Sequence, residues 1–235
     1  MNHSTTHTSS PVNNRQPLAR LLTAATGLTL LAAASPSQAG LVITPDQIHN
    51  NTYTYELLPS EMADDSTFGT EVDSRTYTQQ YAGVEARPVG TPKDGKVNYG
   101  IVPSASPSGA YFTYKFDFAR AGYKVDSVQF MDRGLYVGQE TGAPTTTVTV
   151  EWSTDGEHWT NLRTITSENG AFVAPYKATY KPITFDTPVS TVYYRVTFAN
   201  ADGSKFRPNN RVHFGRSASG TTDPAIQAKF KLSKD

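Results

Sequence analysis

The chain has 235 residues, no cysteine, and 21 basic against 21 acidic side chains. The missing thiols exclude disulfides and thiolate metal sites, and the neutral balance argues against nucleic acid or an anionic membrane surface as a main partner. Thirteen Tyr and eleven Phe, with frequent Thr, Val, Gly and Pro, favour strands and turns over helices.

Residues 1–39 have the organisation of a secretory signal peptide. Arg15 and Arg20 precede the apolar run Leu21–Ala34, and Ser37-Gln38-Ala39 places small residues where a signal peptidase reads, so cleavage is expected after Ala39. No Cys is present to carry a lipid anchor, and no membrane span is expected after cleavage. Processing removes two arginines and no acid, leaving 19 basic and 21 acidic residues over about 196 positions, a formal charge of −2. One β domain over residues 40–235 fits that length. The expected location is secreted, periplasmic or cell-surface.

In the remaining chain, Leu41–Ile43 and Thr52–Leu57 read as strands, with a short helix allowed at Asp46–Ile48 or Ser60–Ala63. An acidic loop, residues 64–74, leads to a strand over 76–84, and a Gly/Pro loop spans 87–98. Val102–Gly109 is a further loop. Tyr111–Phe118 is a strand with Phe112, Tyr114, Phe116 and Phe118 on one face, and Val125–Met131 is another. Arg133–Pro144 reads as a long loop.

The strongest local signal is the hairpin over residues 145–165. Val148, Val150 and Trp152 alternate on one strand face, Ser153-Thr154-Asp155-Gly156 supplies turn chemistry, and Trp159, Leu162 and Ile165 carry the apolar content of the return. Alternation assigns Trp152 to the core, and Trp159, folded back on its own hairpin, with it. Strands are also expected at Lys177–Phe185, Val192–Phe198, Arg211–Arg216 and Ile226–Leu232. Tyr194, Val196 and Phe198 face inward there, and Tyr193, Arg195 and Thr197 outward. Eight to ten short strands at this spacing indicate an all-β, antiparallel sandwich.

The run Val148–Gly156 with Trp159, the later Tyr193-Tyr194-Arg195-Val196, and the upstream Phe116-Asp117-Phe118 with Tyr123–Val128 resemble the discoidin, or F5/8 type C, class. These are galactose-binding-like jelly rolls that include many bacterial carbohydrate-binding modules. The resemblance covers roughly residues 110–232. It implies a jelly-roll β-sandwich whose ligand groups sit in loops at one end, and an extracellular glycan or polysaccharide as partner. STDGEHW also has the shape of a sialidase Asp-box turn, but it occurs once, and a propeller needs several blades.

Loop residues able to hydrogen-bond sugar hydroxyls fall in two segments: Arg133 with Tyr136, and Arg207, Asn209, Asn210, Arg211 and His213. Asp64, Asp65, Glu71 and Asp73 are weak candidates for a structural calcium, the one cofactor the sequence admits, because carboxylates are hard oxygen ligands. No nucleophile-elbow or zincin motif is present. A small polysaccharide-active enzyme is the enzymatic rival to a non-catalytic glycan-binding protein: a glycoside hydrolase using two carboxylates, or a lyase with Tyr136 as base and Arg133 and His213 neutralising a uronate. An adhesion protein facing another protein is the second.

Overall fold

The computed structural model describes residues 41–59, 79–82, 84–89, 94–103, 110–133, 136–138, 144–167, 177–204, 206 and 211–235. Among them fifteen strands run in chain order. The first eight are β1 (Leu41–Val42), β2 (Thr52–Leu57), β3 (Gln79–Ala82), β4 (Val84–Pro88), β5 (Asn98–Pro103), β6 (Ala110–Asp117), β7 (Tyr123–Arg133) and β8 (Tyr136–Gly138). The hairpin strands β9 (Thr146–Ser153) and β10 (Thr160–Thr166) follow. Then come β11 (Lys177–Thr179), β12 (Ile183–Val189), β13 (Thr191–Asn200), β14 (Arg211–Ala218) and β15 (Ile226–Lys234).

The strands pair into three sheets. The first has the order β1-β6-β13-β9-β10, with β3 also on β6; the second has β11-β7-β15-β2, with β12 also on β7; the third has β4-β5-β14-β8. Every described pairing is antiparallel except the two-residue contact of β1 with β6.

Period-two alternation explains which faces meet. Phe112, Tyr114 and Phe116 of β6, Val148 and Val150 of β9, and Tyr194, Val196 and Phe198 of β13 are buried on one side of the first sheet. Tyr53, Tyr55 and Leu57 of β2, Val128 and Phe130 of β7, and Phe230 and Leu232 of β15 are buried on the facing side of the second. The faces interlock through rings: Tyr55 lies 5.3 Å from both Tyr114 and Phe116, Phe116 lies 4.9 Å from Phe230, and Phe130 lies 4.9 Å from Tyr194. Each fully buried ring contributes roughly 1.5–3 kcal/mol of transfer free energy, so an aromatic layer does the work that disulfides would do in a smaller domain. The fold is an all-β antiparallel sandwich.

Several boundaries differ from the sequence reading. Arg133–Pro144 is not one loop: β7 runs through Arg133, and Tyr136–Gly138 forms β8, pairing with β14 through Tyr136 opposite His213. Short strands with one partner lack the long alternation that reveals a strand in sequence. Part of the expected 87–98 and 102–109 loops is strand as well, since Asn98–Pro103 forms β5 between β4 and β14. Lys177–Phe185 divides into β11 and β12 around Lys181-Pro182, because proline cannot donate to a ladder. Pro45–Gln47 forms a single 3₁₀ turn in place of a helix, with the Thr44 N–H donating to Gln47 Oε1 at 2.9 Å.

Candidate functional site

The outer face of the first sheet carries a shallow groove of about 340 Å³ lined by Tyr111, Thr149, Glu151, Arg195 and Thr197. Register makes these residues neighbours. Thr197 pairs with Tyr111 on β6 and Thr149 on β9, and Arg195 pairs with Thr113 and Glu151 one row along. All point away from the core because Val196, Tyr194 and Val150, their alternates, point into it.

Arg195 is held in one orientation. Its Nε and Nη2 donate to Oε2 of Glu151 at 3.1 and 2.8 Å, and its guanidinium carbon lies 3.7 Å from the centroid of the Trp159 indole. Trp159 packs edge-on against Tyr193, with ring centroids 6.2 Å apart. Among the described residues, Nη1 of Arg195 and Oε1 of Glu151 have no partner. The result is a fixed donor and acceptor beside half-buried aromatic surface.

The turn between β9 and β10 places Trp159 there. Ser153 Oγ accepts the N–H groups of Asp155 and Gly156, at 3.1 and 2.9 Å, and donates to Asp155 Oδ1. Asp155 Oδ1 accepts the N–H groups of Glu157 and His158, both at 2.8 Å. These bonds to the backbone and to the His158 ring hold the Asp155 carboxyl well below the usual carboxylate range. Gly156 has φ +80°, and a Cβ at that position would stand 3.2 Å from the Tyr193 ring, so the turn lies directly against β13.

Trp159 therefore belongs to the outer face and not to the core, contrary to the sequence reading. The chain folds back over the sheet's outside, not between the sheets. Trp152 stays on the inner side at its margin, half-buried and edge-on to Phe185 at 5.7 Å.

The residues expected to bind ligand are distributed differently. Arg133 Nη1 is paired with Asp223 at 2.9 Å. His213 lies in β14, and burial, with Arg216 nearby, pushes its pKa down to about 4, so its ring is neutral at physiological pH. Tyr136 and Arg211 sit on β8 and β14, in the three-residue ladder that pairs Tyr136 with His213 and Arg211 with Gly138. Arg207, Asn209 and Asn210 lie outside the described residues, as do Asp64, Asp65, Glu71 and Asp73. Among the described residues no three His, Asp or Glu side chains group to hold a metal ion.

A second polar cluster lies between the sheets. Asp132, on the inner side of β7 and 1% exposed, receives Arg163 Nη2 at 2.6 Å, the Tyr180 hydroxyl, and more distantly the Tyr194 hydroxyl at 3.5 Å. A bulge in β10 between Asn161 and Arg163 sets Arg163 opposite Val150, on the buried side.

No family model matches the chain, and no curated protein matches it. Among solved structures it is similar to a CBM4 module at 12% identity and TM-score 0.24, over 83% of this chain and 90% of that one. It is also similar to the CBM32 module of AlyQ, solved with 4,5-unsaturated mannuronic acid, at 13% identity and TM-score 0.16, over 66% and 95%. A third is the tailspike protein 4 of bacteriophage CBA120, at 11% identity and TM-score 0.28, over 72% of this chain but 20% of that one. The chain thus spans about a fifth of the tailspike's length. The fold assignment rests on the strand pairing above.

Proposed function

We propose that the protein is an exported, non-catalytic glycan-binding protein of galactose-binding-like type that receives a saccharide on the outer face of its six-stranded sheet. The observation that carries this reading is the Trp159–Arg195–Glu151 arrangement beside the groove. Sugars present an apolar C–H face and pairs of hydroxyls; an aromatic face matches the first, and a fixed guanidinium and carboxylate match the second. Because Glu151 and Trp159 already hold Arg195, little side-chain entropy remains to be lost on binding. Glu151 is the sole carboxylate among the described groove residues, whereas glycoside hydrolysis ordinarily uses two. The leader at residues 1–39 supports export, and among the described residues no helix is long and apolar enough to cross a membrane.

A glycan array probed with the wild-type protein and Trp159→Ala tests this. Binding to at least one saccharide is expected, weakened about fivefold or more in the variant, since stacking on an aromatic is worth on the order of 1 kcal/mol or more. A circular-dichroism spectrum matching wild type would show that the sandwich persists. Undiminished binding by Trp159→Ala, with loss on combined replacement of Arg207, Arg211 and His213 by Ala, would move the site to the loops at the end of the sandwich. Turnover of a polysaccharide, detected as unsaturated product, would replace the binding reading with the lyase.

A further inference from the structure

The charge of the groove bears on what kind of saccharide it takes. We propose that Glu151 is a specificity-determining residue that makes the groove select uncharged saccharides, by cancelling Arg195 where an acidic sugar would otherwise be held. This inference rests on the glycan-binding reading of the same face.

Arg195 is the one cation among the described groove residues, and the remaining lining, Tyr111, Thr149 and Thr197, is neutral and rich in hydroxyls. One of the two donor pairs that a guanidinium offers side by side to a carboxylate, Nε with Nη2, is already spent on a single oxygen of Glu151, whose negative charge stands beside the remaining Nη1 end. A uronate approaching Nη1 would also meet the Glu151 carboxylate, whose Oε1 is unpartnered among the described residues. Lys115, a neighbouring cation on the same sheet face, is 3.7 Å from Asp117 and is likewise compensated. The side chains of Arg195 and Glu151 are 27% and 17% exposed, so their mutual attraction is screened less than at an open surface. A hydroxyl pair, by contrast, can donate to Oε1 and accept from Nη1 without any net charge change. Like-charge juxtaposition is a standard device for rejecting a wrong partner.

The test uses neutral glucans, mannans and galactans, each also in a form whose primary hydroxyls have been oxidised to carboxylates. Affinity electrophoresis would compare wild type with Glu151→Gln at about 50 mM and about 500 mM NaCl. Wild type is expected to bind a neutral polymer with little response to salt and to bind its oxidised form about tenfold more weakly, the effect of an uncompensated like charge. Glu151→Gln keeps the side-chain shape and frees the guanidinium, so it should gain binding to the oxidised form, and that gain should fall as salt rises. Wild-type preference for an oxidised polymer, weakening with salt, would overturn the neutral-ligand inference while leaving glycan binding intact. Binding of neutral and oxidised forms that is equal in both proteins would remove Glu151 from specificity. Failure of the wild type to bind any polymer of either series would sink the glycan-binding reading itself. The salt response of the wild type stands without the variant, should Glu151→Gln misfold.

Discussion

The six-stranded sheet carries a carboxylate-paired arginine on each face, and the two pairs differ in what surrounds them. Arg195–Glu151 spans adjacent strands of one sheet, stays partly exposed, and leaves Nη1 and Oε1 without a partner among the described residues. Arg163–Asp132 spans the gap between two sheets, with side chains 13% and 1% exposed, and its carboxylate is further enclosed by the hydroxyls of Tyr180 and Tyr194. Nε and Nη1 of Arg163 are buried without a partner among the described residues. The same chemical pair thus lies open to solvent on the outer face, where water competes, and closes the gap between the sheets where it does not. A buried pair resists rupture strongly because removing one partner strands the other's charge, even where the intact pair adds little net stability.

Breaking each pair gives the sharpest contrast. Asp132→Ala should cost about 3–5 kcal/mol in urea unfolding, the magnitude for an uncompensated buried charge. Glu151→Ala should cost no more than about 1 kcal/mol, as exposed pairs do. Equal losses would erase the distinction between clasp and surface.

A smaller effect is expected at the turn that delivers Trp159. Gly156→Ala places a Cβ at φ +80° and 3.2 Å from the Tyr193 ring, so it should destabilise by about 1–3 kcal/mol and weaken saccharide binding with it. Loss of stability with unchanged affinity would show that the turn does not position the outer face.

The smallest effect is on pH dependence, and its sign differs between the two regions. Burial raises the Asp132 pKa above the ordinary 3.8, and Arg163 with the two tyrosine hydroxyls offsets only part of that. The folded state therefore holds this proton more tightly than the unfolded chain. The favourable contribution is complete below the ordinary value and is lost as pH rises through the raised folded value. Asp155 is the reverse: its lowered pKa contributes stability above 3.8 that is lost as pH falls through the folded value. Unfolding midpoints measured across the acid range should show Asp132→Asn flattening the decline above about pH 4 and Asp155→Asn flattening the decline below it. Identical profiles for the two variants would contradict these assignments.

Alternation made much of the fold legible. The faces of β6, β9 and β13 follow directly from Phe112/Tyr114/Phe116, Val148/Val150 and Tyr194/Val196/Phe198, because one face of each strand must leave water. The same rule places Tyr193, Arg195, Thr197 and Glu151 outside, so every strand residue of the groove except its neighbours was readable one at a time. Strands β5 and β8 were not readable, since Asn98–Pro103 contains Gly100 and Pro103, and Tyr136–Gly138 is three residues long.

What no local pattern contains is which strands become neighbours. Arg195 meets Glu151 across 44 positions of sequence, and Arg163 meets Asp132 across 31. The sequence places Trp159 in the core because it sits where a turn folds back on its own hairpin, but the local pattern does not say which side of the sheet the turn closes over. Alternation along the chain is enough to give each strand an exposed and a buried side. That β9 lies against β13, that the turn closes over Tyr193, and that Trp159 buries its surface on a guanidinium outside the sandwich follow from how the strands assemble. The physical reason is that side-chain direction is set by the backbone two residues at a time, whereas sheet order is set by the burial of whole faces.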